Sequence, residues 1–84
     1  MILEFTQADL SAACADMRAA WGPFVGWNET KAQIYNCMGR LASRLEPGVT
    51  YSVDRSRLPR PFHVGFGWVD IAVRNRVLDE VAVS

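Results

Sequence analysis

The chain has little of what catalysis usually recruits. Its 84 residues hold one histidine, two cysteines and one lysine, and its formal net charge is zero. One histidine and two separated cysteines fit no zinc-ligand spacing. A nucleophilic triad or a Cys-His pair would have to use His63, and the local pattern puts it on the polar face of a strand with no partner in view. Gly65-Phe66-Gly67 lacks the lysine and the Ser/Thr of a phosphate loop. No run approaches the roughly 20 apolar residues that span a bilayer. The first residues show neither the basic flank nor the apolar run of a signal peptide. The expectations are therefore a non-enzymatic, cytoplasmic protein with no catalytic residues, no metal, no cofactor and no membrane contact. Reduced thiols follow from that compartment. Cys14 and Cys37 then read as small buried hydrophobes inside two helices.

What the chain does have is apolar content. Half of its residues are hydrophobic, too many for a disordered chain, and the length suits a single compact domain over residues 1–84. Ile2–Phe5 reads as a short opening strand. Thr6, with Asp9 three residues on, has the spacing of a capping box at the head of a helix over Gln7–Trp21. Leu10, Cys14, Met17 and Trp21 share its inner face, and Gly22-Pro23 ends it. Asn28 caps a second helix running to about residue 45, with Ile34, Met38 and Leu41 as its buried stripe. Gly39 lies inside this helix at a propensity cost of about 1 kcal/mol, which points to close helix packing at that position.

After Pro47-Gly48 the period shortens to two. Val49, Tyr51 and Val53 alternate with Thr50, Ser52 and Asp54, as in a half-buried strand. Phe62, Val64, Phe66 and Trp68 alternate with His63, Gly65 and Gly67. The parity then flips to Val69, Ile71 and Val73, which in a strand requires a bulge. A turn at 74–77 and a last segment to residue 83 complete the pattern; its three valines favour a strand, with a short helix over Val77–Val81 as the alternative. The predicted fold is α+β: two packed helices on one face of a three- or four-stranded antiparallel sheet, in the order (β)ααβββ.

Charge is local. Residues 48–76 contain five arginines and two aspartates, a balance of +3, so the remainder carries −3. Arg55, Arg57 and Arg60 lie on a loop stiffened by Pro59 and Pro61, and Arg74 and Arg76 follow at the next turn. Arginine suits bidentate contact with carboxylate or phosphate. Trp68 stands at the parity break, where a side chain can leave the core face. These six residues are the candidate partner-binding set. The connector Phe24-Val25-Gly26-Trp27 is unusually apolar for a loop, so Phe24 and Trp27 form either a core lid or an exposed apolar patch.

Arg60-Pro61-Phe62-His63-Val64-Gly65-Phe66, followed by Ile71-Ala72-Val73-Arg74, resembles the central hairpin of the small RelE/ParE-type toxins of bacterial toxin–antitoxin pairs. Leu3-Glu4-Phe5-Thr6 resembles their opening strand. The resemblance implies a strand, two helices and three antiparallel strands. It makes Arg55, Arg57, Arg60, Arg74 and His63 candidates for RNA contact or cleavage.

The residues favour an interaction protein that binds a protein or ribonucleoprotein, of the kind found among phage and mobile-element regulators and inhibitors of host defence such as anti-CRISPR proteins. A toxin or RNA binder, with naked nucleic acid as partner, is the alternative. A phage structural or assembly subunit is the next, and a homodimer is compatible with each.

Overall fold

The computed structural model describes residues 2–83. The chain runs β1 (Ile2–Phe5), α1 (Gln7–Trp21), a 3-10 turn (Phe24–Gly26), α2 (Glu29–Arg44), β2 (Tyr51–Asp54), a second 3-10 turn (Arg55–Arg57) and α3 (Arg60–Val83). β1 and β2 pair antiparallel, with Leu3 opposite Val53 and Phe5 opposite Tyr51.

The first half forms as its local signals dictate. The Thr6 side chain accepts from the Asp9 backbone N–H, and the Asp9 carboxylate accepts from the Thr6 N–H, so the capping box is closed. Gly22 ends α1 at a φ of 76°, a conformation that strains any residue with a Cβ. Asn28 Oδ1 accepts from the Lys31 N–H at 2.8 Å and starts α2. The C-terminus of α2 is closed from outside. Gln7 Nε2 donates to the carbonyls of Ala42 and Leu45, each at 2.8 Å, and so satisfies groups that a helix end leaves unpaired.

The second half overturns the predicted sheet. There is no three- or four-stranded sheet among the described residues, because residues 60–83 form one helix of 24 residues. The inner positions are Phe62, Phe66, Val69, Ala72 with its neighbour Val73, and Arg76, so the inner face recurs every three to four residues. The parity flip at Trp68-Val69 is therefore the helical period and not a strand bulge. Pro59 and Pro61 begin the element and do not interrupt it. The Pro59 carbonyl accepts from the His63 N–H at 3.0 Å, and Pro61 sits in the first turn, where its missing N–H costs nothing. Valines and glycines are poor helix formers, yet packing of a buried face outweighs propensity in a folded protein. The toxin-like hairpin falls with the sheet, since the segments that carry that resemblance are helical.

The core joins Leu3 and Phe5 of β1, Leu10, Ala13, Cys14 and Met17 of α1, Ile34 and Met38 of α2, and Phe66, Val69 and Ala72 of α3. Phe66 meets Phe5 edge to face at 5.1 Å between ring centres. The close approach of helices lies at Gly65, not at Gly39. A Cβ on Gly65 would overlap the Sδ and Cγ of Met38, whereas one on Gly39 would meet nothing within 4 Å. Gly39→Ala is accordingly expected to raise stability by about 0.5–1 kcal/mol through helix propensity alone. Urea unfolding measures this, and a loss of stability would contradict the open surroundings of Gly39.

α3 also sets the shape. At 1.5 Å per residue it is about 36 Å long, close to the longest dimension of 41 Å. The radius of gyration is 12.9 Å, against about 12 Å for an average compact chain of this length. Residues 77–82 are all exposed.

Candidate interaction surface

The six candidate residues divide into two groups. Arg76 and Trp68 belong to the framework. Arg76 reaches back to Asp9, whose side chain is 2% exposed. Its Nε and Nη2 donate to the two carboxylate oxygens at 2.8 and 3.1 Å. Burial pushes the Asp9 pKa up, but the Arg76 and Thr6 hydrogen bonds outweigh it and hold the carboxyl below the ordinary range. Hydrogen bonds to Asp9 and Glu80 raise Arg76 in turn. Trp68 is half-buried and meets Trp21 edge to face at 6.1 Å.

Arg57, Arg60 and Arg74 are exposed, whereas the Arg55 side chain is only 20% exposed. Arg55 crosses from the second 3-10 turn to α3, where its Nη1 donates to Asp70 at 3.0 Å. Arg74, one helical turn beyond Asp70, donates to the other carboxylate oxygen at 3.2 Å. One aspartate thus serves two arginines. Asp54 caps the 3-10 turn by accepting from the N–H and hydroxyl of Ser56, and these bonds hold its pKa low. It also lies 3.6 Å from Arg57, whose side chain is 87% exposed. Arg60 opens α3 on the exposed side. Four arginines against Asp54 and Asp70 leave this edge at +2.

Beside Arg60 a groove of about 590 Å³ runs between α2 and the start of α3. Thr30, Gln33 and Ile34 line one wall, and Pro61, His63 and Val64 the other. His63 stands here without a carboxylate among the lining side chains. Among the described residues no three His, Cys, Asp or Glu side chains gather to hold a metal ion. No described helix is long and apolar enough to cross a membrane.

The connector between α1 and α2 is divided between lid and patch. Trp27 folds back, donating Nε1–H to the Gly22 carbonyl at 3.0 Å and stacking edge to face on Trp21 and Tyr35. Phe24 packs on Trp27 yet stays 42% exposed, and Val25 at the tip is 93% exposed.

A surface missed by sequence reasoning lies on α3. Val64, Ile71, Val77, Leu78 and Val81 are five of the nine large hydrophobics that are exposed among the described residues. Val64, Ile71 and Leu78 recur at seven-residue steps opposite the core. That spacing is the available signal, and it is visible only once residues 60–83 are taken as a helix.

Comparison with protein-family models, curated proteins and solved structures finds no match for this chain.

Proposed function

We propose that this domain is a non-enzymatic interaction module, and that Arg55, Arg57 and Arg60 form the contact corner for an acidic surface on a protein or ribonucleoprotein. The observation that carries the reading is the excess of arginine on one edge. Arg57 and Arg60 are exposed within five residues of Arg55, which is fixed by Asp70. Arg55, held in this way, keeps its planar donors oriented at small entropic cost, and arginine is prominent among residues that dominate interface energetics.

Arg57→Glu with Arg60→Glu tests the reading. Both side chains are exposed, so the fold is expected to persist. Affinity for partners captured from a host lysate by the wild-type domain is expected to fall at least tenfold, about 1.4 kcal/mol. Unchanged capture by the double variant removes the arginine corner from the interface. Gel-shift titration on RNA at two salt concentrations separates the partner classes. Binding to naked RNA that weakens steeply with salt would transfer the corner to phosphate recognition.

A further inference from the structure

The outer face of α3 is as regular as its inner face. Val64, Ile71 and Leu78 are 48%, 52% and 66% exposed, and Val81, three residues further, is 67% exposed. A seven-residue apolar repeat is the spacing by which one helix follows another. The complement to this stripe is therefore a second helix.

We propose that this helix is α3 of a second copy, packed antiparallel, with the two-fold axis beside Ile71. Register supports it first. Pairing Ile71 with itself sets Leu78 of each copy opposite Val64 of the other, so the stripe is complementary to itself, as an isologous interface requires.

Charge supports it next. Asp70 and Arg74 lie on the same flank of the stripe, one turn apart and joined by an ion pair. Around an axis at Ile71, each Arg74 also faces the Asp70 of the other copy, and the two pairs merge into a ring of alternating charge. A parallel two-fold pairing would instead carry the Asp70–Arg74 flanks of the two copies to opposite sides of the seam, where this ring cannot form.

The helix ends agree with this arrangement. Ten residues separate Ile71 from Val81, and ten separate it from Pro61, about 15 Å in each direction. Along the helix axis the exposed C-terminal turns of each copy thus come level with the groove lined by Ile34 and Pro61 in the other. The end carrying Asp79 and Glu80 approaches the end carrying Arg57 and Arg60. A net charge of zero adds no long-range repulsion between copies.

Sedimentation velocity from low micromolar to near-millimolar protein tests the pairing. The mass is expected to rise from one copy to two. Ile71→Glu, at a half-exposed site that leaves the core intact, is expected to remain monomeric throughout, with an unchanged far-ultraviolet spectrum. Arg74→Asp is expected to weaken association at least tenfold. Val25→Glu, on the far connector, is expected to leave association unchanged. A monomer at every concentration overturns the proposal, as does a dimer that Ile71→Glu leaves intact. The pairing rests on the apolar stripe and not on the arginine corner. A monomer that still recovers its partner through Arg57 and Arg60 would refute the pairing alone.

Discussion

Gly65→Val is expected to cost about 3 kcal/mol, near the upper end of ordinary overpacking. On propensity alone, adding a side chain to a helical glycine is neutral or favourable, so a loss of this size requires a steric cause. The cause is Met38. Its side chain is fully buried, and even the first carbon added to Gly65 would overlap its Sδ and Cγ. A methionine is flexible, but its neighbours in the core include Phe66 and Val69, and close-packed interiors leave little room to yield. Valine adds a second difficulty because its branched Cβ restricts χ1 in a helix. The same substitution separates the two descriptions of this segment. In a strand with residue 65 on its polar face, valine would be well tolerated or stabilising. Urea unfolding of Gly65→Val, Met38→Ala and the double variant gives a coupling energy. A favourable coupling of about 1 kcal/mol or more is expected, since Met38→Ala makes the space that the introduced valine needs.

Arg76→Met is expected to cost about 3 kcal/mol at neutral pH. Methionine keeps much of the arginine stem and removes only the guanidinium, so packing is largely retained. What remains is an Asp9 carboxylate out of contact with water, held by Thr6 alone. Breaking a buried pair in this way costs about 3–5 kcal/mol, and the lower figure applies because Arg76 is 38% exposed and partly screened. The loss has a defined pH dependence. In the wild type Asp9 titrates below its ordinary 3.8, so its contribution is complete above that value and disappears as pH falls through the lowered one. In Arg76→Met, burial acts without the guanidinium to oppose it, and protonation relieves the variant. The stability gap between the two proteins is therefore expected to be widest near pH 7 and to close toward pH 3. A gap independent of pH would mean that Arg76 acts through packing and not through Asp9.

The two halves of the chain differ in how far the sequence discloses them. α1 and α2 carry their boundaries as local chemistry: the Thr6–Asp9 box, Asn28 and Gly22-Pro23. β1 and the alternation through Tyr51–Asp54 are equally local. α3 contains signals that conflict. Its β-branched residues, Gly65 and Gly67, and the alternation over 62–68 all imitate a strand, and Pro59-Arg60-Pro61 imitates a break. The decisive information is the packing of Phe66, Val69 and Ala72 against elements distant in sequence. Only the parity flip at Val69 hints at it. The same divide runs through the site. The exposed charge of Arg57 and Arg60 is legible locally. The withdrawal of Arg76 is not, since its partner Asp9 lies 67 positions away. The outer stripe of α3 stays hidden as long as Val64 and Ile71 are placed on the core faces of strands that do not form.

Both the arginine corner and the apolar stripe exist as surfaces only if residues 60–83 are one helix. The backbone carbon chemical shifts of that segment test this most directly. A continuous run of helical Cα shifts from about residue 61 to 80, with sequential amide–amide contacts and none across strands, is the expected result. Extended shifts over 62–73, interrupted near Gly65-Phe66-Gly67 and joined by cross-strand contacts to β2, would contradict it.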